Sequence, residues 1–108
     1  MLVGSHGDEG LIEEARAHRP GLNGVVAGSL RAFMGLASHA ALLICNNSGP
    51  LHIAYALDVP TLSTVGPIDG AMWVPRGPNH ATVAANPLTL LKSDEVLAAA
   101  MKQLGARA

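Results

Sequence analysis

The segment from Leu42 to Pro67, LLICNNSGPLHIAYALDVPTLSTVGP, constrains the fold more than any other part of the chain. An apolar run stops at Asn46-Asn47-Ser48-Gly49, a helical pattern starts at Pro50, and a second apolar run closes at Gly66-Pro67. A short apolar run bounded by turn residues reads as a buried strand. A proline with its φ preset, and no N–H to leave unpaired, suits the first position of a helix. Strand, tight turn, helix, strand is a βαβ unit, and a βαβ unit means a parallel sheet with a helical crossover.

The rest of the chain continues the alternation. Leu2-Val3-Gly4 reads as the end of a strand. Asp8 to His18 places Leu11, Ile12 and Ala15 on one face and ends at Pro20-Gly21. Gly24 to Ala27 is a short strand. Ser29 caps a helix carrying Leu30, Phe33, Met34 and Ala37 at i, i+3, i+4, i+7 spacing. Leu42 to Cys45 reads as a strand covered on both faces, and Pro50 to Leu57 is apolar nearly all round, which predicts a buried helix. Thr61 to Val65 is the next strand, Gly66 to Asn79 a Gly/Pro-rich loop, and His80 to Ala84 a last strand. Ser93 is the expected cap of a final helix with Leu97, Ala100, Met101 and Leu104 on one face, ended by Gly105. The fold class is therefore α/β: one domain over residues 1–108, a parallel sheet of about five strands with helices on both faces, three layers in all.

Composition excludes several functions. Hydrophobic residues make up 49% and charged residues 14%, so a packed core is expected rather than disorder. The net charge of -1 comes with no basic cluster, which argues against nucleic acid as a partner. An anionic ligand would have to rely on backbone N–H groups and helix ends. The single Cys45 lies in an apolar run and reads as a buried thiol, with no disulfide framework and no cysteine-rich zinc site. His6, His18, His39 and His80 show no metal-ligand spacing and read as surface or loop residues. No metal or other cofactor is expected. No run approaches a transmembrane span of ~20 apolar residues, and no charged segment precedes a long apolar one, so a cytoplasmic location is the expectation.

The turn itself carries the chemistry. Ser48 or Gly49 would occupy the helix cap ahead of Pro50, and the free N–H groups of the first turn, with the helix dipole, favour a phosphate or carboxylate. Gly49 lets such a group approach the backbone with no Cβ in the way. The turn follows a parallel strand, at the carboxyl end where open α/β sheets bind ligands. A well-capped helix with no ligand is the plainer alternative. His52, near the same turn, reads either as a ligand contact or as a hydrogen-bonded core histidine.

These residues resemble the donor site of glycosyltransferase family 9, the lipopolysaccharide heptosyltransferases. The family pattern is close to N-D-S/T-G-x-x-H-x-A-x-A-L-x-x-P-x-x-x-x-x-G-P. The chain has Asn46-Asn47-Ser48-Gly49, His52, Ala54, Ala56-Leu57, Pro60 and Gly66-Pro67 in register with it. Asp69, Trp73, Pro75 and Gly77 are similar to the family's T-D-P-x-x-W-x-P-x-G loop, and Leu2-Val3-Gly4 to its V-L-V-G-G segment. The resemblance implies a nucleotide-sugar donor of the ADP-heptose kind, inverting transfer to a lipopolysaccharide-core acceptor, and the later part of the C-terminal lobe of a GT-B enzyme. Donor binding would fall to Asn47, Ser48, Gly49, Pro50 and His52. The loop Gly4, Ser5, His6 would approach the ribose, and Ala27, Gly28, Ser29, Leu30 would border the base.

Many members have Asp where this chain has Asn47. Asn keeps an acceptor and gains a donor, but it cannot act as a carboxylate base, and no residue here is assigned a catalytic role. The family lobe's first strand and its diphosphate-binding basic residue have no counterpart in the chain, which on this reading is inactive alone. In the order 3-2-1-4-5-6 that strand lies between the two halves of the sheet. Without it, three arrangements are open: direct closure in the flavodoxin-like order 2-1-3-4-5, completion by a second copy or a missing-lobe partner chain, or unpaired edges. The rival to the donor-binding reading is a non-catalytic Rossmann-like interaction or oligomerisation module, or a truncated remnant.

Overall fold

The computed structural model describes residues 1–66, 75 and 77–105. The chain forms two compact units, Met1–Leu36 and Ala37–Ala108. Asp69 and Trp73, like Pro67, lie outside the described residues.

The first unit is a parallel pair of strands, β1 (Leu2–Gly4) and β2 (Gly24–Val26), linked by α1 (Glu9–His18) and followed by α2 (Leu30–Ala37). A short 3-10 turn, His6–Asp8, leads into α1. Asp8 holds that turn: its Oδ2 accepts from the Ser5 backbone N–H at 2.8 Å and from Ser5 Oγ at 3.1 Å. The carboxylate sits so close that a Cβ on Gly4 would lie 2.7 Å from Asp8 Cβ, so only glycine fits there. Helix α1 presses on the strands at one point. Ile12, its buried residue, meets the backbone of Gly24, where any Cβ would collide with Ile12 Cγ2. Arg16 closes the same contact by donating from Nη2 to the Gly24 carbonyl at 3.1 Å. Ser29 caps α2 as its position predicts, with Ser29 Oγ accepting from the Ala32 N–H at 3.1 Å.

The second unit is a three-stranded parallel sheet in the order β3 (Leu43–Asn46), β4 (Thr61–Val65), β5 (His80–Ala84). Helix α3 (Gly49–Ala56) packs on β3 and β4, and α4 (Ser93–Gly105) packs on β4 and β5. The centre of this unit is β4. Successive strand residues point to opposite faces, and Thr61, Leu62, Ser63 and Val65 are all buried, so both faces of β4 are covered. Leu51, Ala54 and Leu62 are wholly inaccessible and form the core with Val59, Val65 and Ala100. The buried hydroxyls are bonded, as burial requires: Ser63 Oγ lies 3.3 Å from Thr82 Oγ1, and Thr61 Oγ1 lies 2.8 Å from His80 Nδ1.

Five parallel strands are present, as the alternation predicts, but they form two ladders rather than one five-stranded sheet. Among the described residues no ladder joins β1 to β3.

Three local expectations are also corrected. Strand β3 is not covered on both faces: it is an edge of its ladder, its burial alternates, and Ile44 is 48% exposed. Helix α3 is not buried all round: it packs on β3 and β4 with Leu51 and Ala54 buried, while His52, Tyr55 and Ala56 are exposed. Ser93 stands inside α4, and Lys92 takes the capping position, its N–H donating to Glu95 Oε2 at 3.3 Å while its carbonyl accepts from the Val96 N–H.

Candidate functional site

The turn between β3 and α3 is built by side chains that fix backbone direction. Asn46 ends β3 opposite Thr64, and Thr64 Oγ1 donates to Asn46 Oδ1 at 2.6 Å. That bond holds the Asn46 side chain against β4. Ser48 has extended backbone angles (φ -153, ψ -176), and its Oγ donates back to the Asn46 carbonyl at 3.3 Å. The Ser48 carbonyl accepts from the Leu51 N–H at 3.1 Å. Ser48 is thus the cap by position, but its hydroxyl does not cap the helix N–H groups.

Of those groups, the Leu51 N–H is taken by the Ser48 carbonyl. Gly49 and Pro50 open the helix; Pro50 has no N–H, and Gly49 has no earlier turn to supply an acceptor. Ser48, Gly49, Pro50 and His52 are exposed, and Asn47 is half-buried. A Cβ on Gly49 would meet no atom within 4 Å, so the approach to this backbone is clear. The exposure of His52 removes the reading of it as a core histidine. The five residues Asn47, Ser48, Gly49, Pro50 and His52 therefore share one open turn at the carboxyl end of β3, facing the positive end of an eight-residue helix.

The other named residues gather in the first unit. Gly4 and Val26 are register partners, and the Ala27 N–H donates to the Gly4 carbonyl at 2.8 Å. The loops Gly4, Ser5, His6 and Ala27, Gly28, Ser29, Leu30 thus leave the carboxyl ends of adjacent parallel strands. His6 Nε2 stands 4.0 Å from where a Gly28 Cβ would be, and His6 Nδ1 is 3.7 Å from Glu9 Oε1. Leu30 and Ser29 are exposed.

Among the described residues no three His, Cys, Asp or Glu side chains are grouped to share a metal ion. Cys45 is half-buried, and burial pushes its thiol pKa up, so it stays protonated and unreactive.

His80 departs from the surface or loop position expected of it. It begins β5 opposite Thr61, bonds to its hydroxyl, and sets its ring edge-on to Tyr55 with centroids 4.8 Å apart. Burial holds its pKa below the ordinary histidine value, against the opposing pull of the Asp58 carboxylate. Thr61, His80 and Tyr55 are far apart in sequence, and only strand register could have joined them.

The family model for glycosyltransferase family 9 (heptosyltransferase) matches residues 1–96. The chain belongs to glycosyltransferase family 9. This family 9 chain also matches the crystal structure of the glycosyl transferase family 9 from Veillonella parvula DSM 2008, with a TM-score of 0.79 and 19% identity. The match covers 94% of this chain and 35% of that one, so the chain spans about a third of the length of the solved relative. At that identity the likeness speaks for the fold, an α/β arrangement of parallel strands and helices shared with part of a family 9 glycosyltransferase. No curated protein matches the chain. No described helix is long and apolar enough to cross a membrane.

Proposed function

We propose that residues 1–108 form a partial nucleotide-sugar-binding lobe of a GT-B glycosyltransferase, taking an ADP-heptose-like donor for lipopolysaccharide-core synthesis in the cytoplasm. The observation that carries this reading is the open turn at Ser48-Gly49-Pro50. It joins the Gly49 N–H, a helix dipole and an unobstructed backbone at the carboxyl end of a parallel strand. The diphosphate of the donor sits on Ser48 and Gly49, where the helix end stabilises negative charge by about 0.3–1 kcal/mol, more when shielded from water. Asn47 and His52 hydrogen-bond the sugar. Gly4, Ser5 and His6 border the ribose, and Ala27 to Leu30 border the base. As the donor bond breaks, charge grows on the leaving diphosphate, and the fixed N–H groups of the turn stabilise it without reorganising. The acceptor site and the base that activates the acceptor hydroxyl belong to the remainder of a family 9 enzyme, so the chain alone binds donor and does not transfer it.

Calorimetric titration with ADP and an ADP-sugar tests this. Saturable binding is expected, and Gly49→Val is expected to abolish it. Because the Gly49 Cβ position is empty space, the variant folds and blocks only the ligand's approach. A folded chain that shows no saturable binding sinks the proposal. That result would favour the second reading, a module for association with another chain, for which the exposed apolar residues Leu97 and Met101 on α4 speak.

A further inference from the structure

A second recess lies at the other end of α3. It opens at the amino-terminal edge of the three-stranded sheet, where Thr61 and His80 begin β4 and β5. Tyr55, Asp58, Gly77, Pro78, Asn79 and His80 line a space of about 360 Å³, within the size range of small-ligand sites. Nothing in the donor-binding reading uses it.

The informative residue is Asp58. Helix α3 ends in a full Schellman motif: the Val59 N–H donates to the Ala54 carbonyl at 2.9 Å and the Asp58 N–H to the Tyr55 carbonyl at 3.1 Å. Asp58 occupies the left-handed position of that motif, with φ of 58°. Glycine or asparagine is the residue this position favours. An aspartate there tolerates the backbone angle, but it brings a carboxylate to the negative end of the helix, where a cation is the favourable charge. Among the described residues Asp58 has no ion-pair partner, and the described residues that line the recess include no lysine or arginine. A residue that is locally unfavourable on electrostatic grounds is where a function is to be sought.

The walls suit the missing charge. Tyr55 is 46% exposed and lines the recess at the end of α3. His80 meets that ring edge-on, and its Nδ1 is engaged by the Thr61 hydroxyl. An aromatic face beside a carboxylate selects a delocalised or alkylated cation over a hydrated metal ion. We propose that this recess binds an organic cation, a guanidinium or a primary ammonium, held between the Asp58 carboxylate and the face of Tyr55.

The whole chain contains one tyrosine, so its ring protons give a single, assignable probe. Methylguanidinium chloride is titrated against the intact chain, with sodium chloride at equal ionic strength and methylurea, the neutral analogue, as controls. A saturable shift of the Tyr55 resonances with methylguanidinium alone is expected. Asp58→Asn keeps the backbone angle, removes the charge, and should weaken binding about two- to fivefold or more while raising the Tm. Tyr55→Leu, read at the His80 amide, should weaken it by a similar factor. Equal response to methylurea, a linear response, or unchanged affinity in Asp58→Asn overturns the proposal. An N-acetyl-arginine amide peptide binding more tightly than methylguanidinium would identify a protein side chain as the source of the cation; equal affinity would identify a free amine or guanidine. Gly49→Val leaves this recess intact, so loss of donor binding and loss of cation binding are separate results.

Discussion

At the scale of single residues, the chain uses glycine where a neighbour comes too close for anything else. Gly24 takes the tip of Ile12 and Gly4 takes Asp8. Gly24→Ala should destabilise the first unit by about 1–3 kcal/mol through overpacking, measured by urea unfolding. His80 makes a different kind of prediction. Its folded-state pKa is lowered, so the folded chain binds its proton less readily than the unfolded chain does. The stability this contributes is complete above the ordinary histidine pKa near ~6.5. It falls away as the pH drops through that value toward the folded pKa. His80→Gln should flatten that part of the stability–pH curve, and a variant with an unchanged acid slope would place the slope elsewhere. Neither residue's role was legible beforehand. Gly24 looks like any strand-leading glycine until Ile12 is set against it, and His80 lacks a local partner because Thr61 lies nineteen residues away.

At the scale of elements, a side chain of α4 bonds directly to the sheet on which the helix packs. Gln103 Nε2 donates to the carbonyls of Thr61 at 2.8 Å and Asn79 at 2.9 Å, bridging the starts of β4 and β5. Gln103→Leu should cost about 1–3 kcal/mol, because both bridging bonds are lost, although the Asn79 carbonyl keeps the Thr61 N–H at 3.0 Å; an unchanged urea midpoint would refute the bridge. Most elements were legible from hydrophobic period and turn residues. Thr61 to Val65 stands where the run of β-branched residues puts it, and Ser29 caps α2 as its position implies. Covering was less legible, because a period tells which face is apolar and not what lies on it. The run Leu42 to Cys45 looked doubly covered, yet among the described residues β3 has β4 as its sole ladder partner. The donor turn was legible as a pattern of residue types. The Asn46–Thr64 bond that braces it depends on register, which the pattern alone did not reveal.

At the scale of the whole molecule, apolar surface remains uncovered. Leu97 and Met101 on α4 are 62% and 61% exposed, with Leu104 a turn further along the helix. Surface of this kind promotes association. The double substitution Leu97→Glu, Met101→Glu should shift the chain toward monomer in sedimentation velocity across a concentration series. Identical profiles for both proteins would show that this face takes no part. The Gln103 bridge has one more consequence, which concerns synthesis. Gln103 follows Thr61 by forty-two residues, a stretch that a ribosome adds in about two to eight seconds at ~5–20 residues per second. Throughout that interval β4 is already made and its final hydrogen-bond donor does not yet exist. The second unit therefore passes through every round of translation with an unfastened sheet edge. That is when a nascent-chain chaperone would have the most to hold.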